Sequence, residues 1–132
     1  MSAYMQLRVL ELDDRSAAVL NESQVLEKEA LDIIDCLQKQ RVRAPLILLD
    51  IDGKATSSIG LANRLRQQEM SGYPQLSFII GSSYGVDKTI KALADERMSF
   101  GTLTLPHNLA RIVLLEQLYR ACKINRGEPY HK

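Results

Sequence analysis

Histidine and cysteine are scarce in this chain, and it has neither a long apolar run nor an appreciable net charge. The histidines are His107 and His131 and the cysteines Cys36 and Cys122, with no metal-ligand spacing among them, so nothing suggests a metal. Free thiols are the default reading for the two cysteines. No Ser-His-acid arrangement is evident, which leaves nucleophilic hydrolysis with little support. No apolar run approaches the roughly 20 residues that span a bilayer, and the N-terminus lacks a basic-then-apolar signal layout. The chain therefore reads as cytoplasmic, with no membrane partner. A net charge of +1 excludes a general polyanion binder. Repeats, linkers and low-complexity segments are absent too, so residues 1–132 read as a single domain.

What is present is ordinary for a globular protein. Hydrophobic residues make up 45% and charged residues 25% of 132, enough for a real core and unlike a disordered chain. The charge is uneven: from Arg111 to Lys132 there are five Lys/Arg against two Glu. A local basic patch can position a phosphate backbone, and a solvated tail explains the same count equally well.

Period and punctuation predict the elements. Met5 to Leu12 alternates as a strand. Asn21 with Gln24 resembles a capping box before a helix whose inward face is Leu26, Ala30, Ile33, Ile34 and Leu37, ending near Gln40. Leu46-Ile47-Leu48-Leu49 is a continuous apolar run, as in a strand buried on both faces. Asp52-Gly53 marks a turn, and Thr56 to Met70 reads as a helix with Ile59, Ala62 and Leu65 inward. A strand from Leu76 to Ile80 runs into Gly81-Ser82-Ser83-Tyr84-Gly85. A helix from Val86 to Arg97, a strand from Gly101 to Leu105 and a last apolar helix follow. The order β-α-β-α-β-α-β-α predicts an α/β fold, a mainly parallel sheet flanked by helices.

In such sheets ligands bind beyond the carboxyl ends of strands. Three exits have the right character: Leu49 to Lys54, Ile80 to Gly85, and Leu103 to His107. The glycine loop matches neither the Walker A spacing nor the dinucleotide fingerprint, and its glycines are also explained by a tight turn. Asp50 and Asp52 are either a carboxylate pair or turn and cap residues. On the last helix, Glu116, Gln117, Arg120 and Lys123 share one arc at 100° per residue. Arg111 falls on the opposite side, near Leu115, Leu118 and Cys122. An unpaired buried charge is costly, so Arg111 is either ion-paired within the chain or snorkelling to the surface, or it serves a ligand or a subunit interface.

At these loops the chain closely resembles the RlmH family of SPOUT-class RNA methyltransferases. The matching blocks are Leu49-Asp50-x-x-Gly53-Lys54, Phe78-Ile79-Ile80-Gly81 with Gly85, and Thr104-Leu105-Pro106-His107. They continue with Leu109-Ala110-Arg111, Leu115-Glu116-Gln117-Leu118-Tyr119-Arg120-Ala121 and Pro129-Tyr130-His131-Lys132. The resemblance implies a SPOUT-type fold with a C-terminal trefoil knot and a homodimer that binds S-adenosyl-L-methionine. It implies methylation of N3 of a pseudouridine in large-subunit ribosomal RNA, within the assembled ribosome. By the same resemblance the cofactor contacts are Leu49, Gly81 and the run Phe100, Gly101, Thr102, Leu103, Thr104 and Leu105. Tyr130, His131 and Lys132 match tail residues placed over the active site, and Arg111 lies where it could meet a partner subunit or the cofactor site. The chain departs from the family in two places. The strand and helix that usually precede the segment matching Met5 to Leu12 are missing, and Ser82 and Ser83 replace a Gly and a Pro. A shortened paralogue that keeps the knotted dimer as an interaction protein, without catalysis, is the alternative reading.

Overall fold

The structure, a computed structural model, describes residues 6–12, 21–81, 85–101 and 103–130. Its elements in chain order are α1 (Glu22–Lys39), β1 (Leu46–Ala55), α2 (Ser58–Glu69), β2 (Ser77–Ile80), α3 (Lys88–Leu93), β3 (Glu96–Ser99) and α4 (His107–Asn125). Helix α1 begins where its cap chemistry demands. The Asn21 side chain accepts from the Gln24 amide at 2.8 Å while Gln24 accepts from the Asn21 amide at 3.1 Å. Two otherwise unpaired helix donors are satisfied reciprocally.

The three strands form a parallel sheet in the order β2-β1-β3. Alternation along β1 sends side chains to two separate cores, which is why its first four residues are apolar without a polar break. Leu46 and Leu48 join Ala30, Ile79 and Ile90 beneath α1 and α3, whereas Ile47 joins Leu61, Ala62, Met98, Leu114 and Leu118 beneath α2 and α4. Leu48 is fully buried at the centre.

β1 is longer than the apolar run predicts, because the chain bulges and then rejoins β3. Leu49 and Lys54 both register with Met98, so residues 50–53 loop out between them. Gly53 makes the return possible: a Cβ there would lie 2.8 Å from the Arg97 carbonyl carbon and the Met98 nitrogen. Asp50 braces the bulge. Its side chain is 7% exposed, accepts from the Asp52 amide at 3.2 Å and lies 3.5 Å from Arg97 and 3.9 Å from Lys91. Asp50 is thus a turn residue held by two cations.

Four expectations are corrected. Gln6–Leu12, the described part of the first predicted strand, forms no strand, since no ladder partner lies beside it among the described residues. The helix expected to reach Arg97 stops at Leu93. Asp95 draws the chain away to the sheet, its amide donating to the Leu46 carbonyl at 2.9 Å and its carboxylate accepting from the Leu46 amide at 2.7 Å. The last strand is consequently Glu96–Ser99, and the described part of Gly101–Leu105 is irregular. Finally, Ile59 points outward at 48% exposure, whereas Ala62 is buried and Leu65 packs on the core as expected, with Leu61 and Gln68 buried beside them.

Candidate cofactor site at the strand exits

Leu49 ends the regular part of β1 and registers with Ile80 on one side and Met98 on the other. The parallel register therefore brings Gly81, just after β2, and Phe100 and Gly101, just after β3, to the same end of the sheet as Leu49. Each exit is built differently. Gly81 is packed so closely against the end of its own loop that a Cβ would fall 2.5 Å from the Gly85 carbonyl oxygen and from Val86. Gly81 is thus a close-approach glycine, while Gly85, with φ of 91°, is the one that needs glycine's conformational freedom.

At the β3 exit the Ser99 hydroxyl accepts from the Gly101 amide at 3.0 Å and donates to the Gly101 carbonyl at 2.8 Å. This staple fixes Gly101 at φ of 118°. The Ser99 carbonyl accepts from the Thr56 amide at 3.1 Å, which ties the exit to the start of α2. Phe100 packs on the core shared by α2 and α4, Leu105 is half-buried, and Leu103 and Thr104 are exposed. Thr102 lies outside the described residues. Pro106 caps α4 without a side-chain hydrogen bond, so the helix opens onto this same segment. Ser99 was not among the residues singled out from sequence. The available signal was a serine two residues before a glycine, a common turn pattern.

The chemistry of this donor set is apolar side chains beside main-chain amides and carbonyls at glycine-lined turns. It fits a neutral heteroaromatic group read by backbone hydrogen bonds, as an adenosine is.

The expected tail and helix residues fall into two groups. Tyr130 lies on α4: its hydroxyl donates to Glu116 at 3.2 Å, its ring meets Tyr119 edge-on at 5.1 Å, and the Arg120 guanidinium sits 4.9 Å over it. Arg120 donates to Glu116 at 2.7 and 3.0 Å, and these bonds above all hold the Glu116 carboxyl below its usual range; partial burial opposes them and the Tyr130 hydroxyl reinforces them. Gln117 extends the network by accepting from Ser58 at 2.6 Å. Arg111 stands on the other face of α4. It is 41% exposed and ion-paired with Glu11, the intramolecular arrangement that was one of its two readings. It lines a groove that also reaches Gly81 and His107. Within this chain, Arg111 and Tyr130 are not brought together. His131 and Lys132 lie outside the described residues. The basic excess of the last segment is partly neutralised, because Lys123 reaches Glu128 at 2.5 Å and Arg120 reaches Glu116.

Comparison with known proteins decides the family. The family described as "Predicted SPOUT methyltransferase" matches residues 1–131. The chain belongs to the SPOUT methyltransferase family. Among curated proteins, the ribosomal RNA large subunit methyltransferase H of Bacillus thuringiensis is 42% identical, and those of Carboxydothermus hydrogenoformans and Ruminiclostridium cellulolyticum are 41% and 38% identical. Each match covers 100% of this chain and 84% of the relative. A SPOUT methyltransferase moves a methyl group, and the parallel α/β sheet with its irregular exits is the frame on which this member is built.

Proposed function

We propose that this protein is a S-adenosyl-L-methionine-dependent methyltransferase acting on N3 of a pseudouridine in large-subunit ribosomal RNA. The observation that carries the reading is the match over the whole chain to relatives named ribosomal RNA large subunit methyltransferase H, at 38–42% identity. The glycine-lined exits of the three strands support it, being suited to hold an adenosine by backbone groups. On this reading Leu49, Gly81 and Phe100 to Leu105 form the cofactor cradle, and Arg111, Tyr130, His131 and Lys132 face the RNA. The protein works as a cytoplasmic homodimer, with a C-terminal trefoil knot gathering the cradle.

S-adenosyl-L-methionine supplies a methyl group on a sulfonium, so no protein nucleophile is required. The chain's task is to align and to stabilise. Ser99 fixes the Gly101 turn in advance, and the close packing of Gly81 on Gly85 fixes the second wall, so little reorganisation remains at the moment of reaction. Pseudouridine N3 must lose its proton, and cationic groups at the tail and at Arg111 would favour the resulting anion. The Glu116 network seats Tyr130. Arg111 and Tyr130 occupy opposite faces of α4, and a two-fold dimer is an economical way for one protomer's arginine to meet its partner's tail.

The test is methylation of ribosomes that lack the modification, with labelled cofactor and this protein. Label appearing at N3 of a large-subunit pseudouridine is the expected outcome. No transfer by folded protein that binds cofactor would turn the reading to the interaction-only paralogue.

A further inference from the structure

The amino end of the sheet, opposite the strand exits, carries an arginine pair that the fold does not use. Helix α1 ends there in a tight reversal. The Arg41 amide donates to the Gln38 carbonyl at 3.1 Å and the Val42 amide to the Leu37 carbonyl at 2.9 Å, which closes the last turn over a left-handed residue. That residue is Arg41, at φ of 52°, and no other non-glycine among the described residues has a positive φ. Glycine is favoured at such a position, because a Cβ is crowded there. An arginine kept in a conformation that suits glycine calls for a use of its side chain outside the fold. The helix end does give one reason for a cation, since its last carbonyls carry partial negative charge. Lys39 in the last turn already supplies one, and a glycine at position 41 would leave it in place.

Arg43, two residues on, lays its guanidinium over the Tyr73 ring at 4.6 Å. Tyr73 belongs to the turn from α2 into β2 and is firmly seated. Its carbonyl accepts from the buried Gln68 side chain at 2.5 Å, and its hydroxyl donates to Gln75 at 2.6 Å. Gln68 is held in turn by Arg64, which pairs with Glu96 at the start of β3. Arg41 and Arg43 are both exposed, and neither meets a carboxylate among the described residues. Arg64, Arg97, Arg111 and Arg120 each do.

We propose that Arg41, Arg43 and Tyr73 form an RNA-anchoring surface, separate from the cofactor cradle, that grips a single-stranded stretch of the substrate RNA. Arg41 pairs with a backbone phosphate. The guanidinium plane of Arg43, backed by Tyr73, takes an unpaired base on its outer face in a base–arginine–tyrosine stack. The inference rests on the reading of this protein as a ribosomal RNA methyltransferase. The surface lies at the opposite ends of β1 and β2 from Leu49 and Gly81, so it holds RNA flanking the target nucleotide and fixes its register.

The test is binding to ribosomes that lack the modification, followed against monovalent salt concentration. The double variant Arg41→Gly, Arg43→Ala is expected to bind about tenfold more weakly and to lower the salt slope by about one. Tyr73→Leu, which keeps both charges, should weaken binding by about threefold and leave the slope unchanged. Arg41→Gly alone should lose affinity while its thermal midpoint rises by about 3 °C, a pairing that a purely structural arginine does not produce. Unchanged affinity in the double variant would overturn the proposal, and methyl transfer by the same variant would leave the methyltransferase reading standing. Weaker binding of the double variant with an unchanged slope would assign the surface to a protein partner and also overturn it. A wild-type protein that binds no ribosome would overturn both. Ribosome binding weakened as expected, with no methyl transfer by the wild type, would overturn the reading and uphold the anchoring surface.

Discussion

Helix α4 carries two polar stations on opposite faces, and they are held in opposite ways. Around Glu116, Arg120, Gln117, Ser58 and Tyr130 are joined by bonds of 2.6–3.2 Å that tie α2, α4 and the C-terminal residues into one unit. Around Arg111 there is one ion pair among the described residues, to a glutamate that is 71% exposed on a segment outside the sheet. The first station is self-sufficient, because each charge is matched by a neighbour already fixed in the fold. The second is anchored only at the surface, where an ion pair contributes little and its arginine can be redirected at small cost. One face of α4 therefore holds Tyr130 in place, and the other leaves Arg111 tied only to an exposed partner.

The difference can be broken at either end. Deleting residues 130–132 removes Tyr130 from the first station together with the expected site residues after it. Methyl transfer should fall by more than about 100-fold while stability changes by about 1 kcal/mol or less, read by turnover and thermal unfolding of the same protein. Unchanged turnover would show that the tail plays no part. Next in size is the contrast between Arg111→Ala and Arg120→Ala. Loss of Arg111 should lower turnover or dimerisation by about tenfold, and loss of Arg120 by less, because Glu116 and Tyr119 still seat Tyr130. Equal small effects in sedimentation and kinetics would erase the distinction between the stations.

A third test uses pH. The folded pKa of Glu116 is held below the ordinary value of about 4.3, chiefly by the Arg120 hydrogen bonds. Its contribution is thus complete above that ordinary value and is lost as pH falls through the lowered one. Glu116→Gln should flatten the acid limb of the stability profile and release Tyr130, measured by tyrosine fluorescence in a chain without tryptophan. An unchanged acid limb would mean that the carboxylate is not coupled to folding. The smallest effect belongs to Glu11→Ala, which should alter stability by no more than about 0.5 kcal/mol in a denaturant titration. A loss several times larger would show that the second station is as firmly built as the first.

Much of this was legible in the sequence because it depends on local chemistry. The Asn21–Gln24 box, the apolar run at Leu46 and the arc of Glu116, Arg120 and Lys123 each need only neighbours within a turn or two. The blocks shared with the methyltransferase family marked the exits of β1 and β2, whereas the third exit, expected at Leu103–His107, lies earlier, directly after Ser99. The errors fall where a distant contact overrides local pattern. Asp95 bonding to Leu46 ends α3 early and moves the last strand to Glu96–Ser99, an interaction spanning 49 residues that no periodicity announces. Gly53 reads as a turn, but its close approach to Arg97 and Met98 makes it the point where β1 rejoins its partner. Gln6–Leu12 has the alternation of a strand but no strand pairs with it among the described residues. Arg111 shared an arc with apolar residues but comes out 41% exposed, since the groove beside it leaves that side of α4 partly open.

The most direct test of the account is calorimetric titration of the folded protein with S-adenosyl-L-methionine. Saturable binding at about one site per chain, abolished by Gly81→Val, is the predicted result. The added side chain would meet the Gly85 carbonyl and Val86 and displace the wall of the cradle. A folded protein that shows no binding, or one that binds equally well with valine at position 81, would contradict the assignment of the strand exits as the cofactor site.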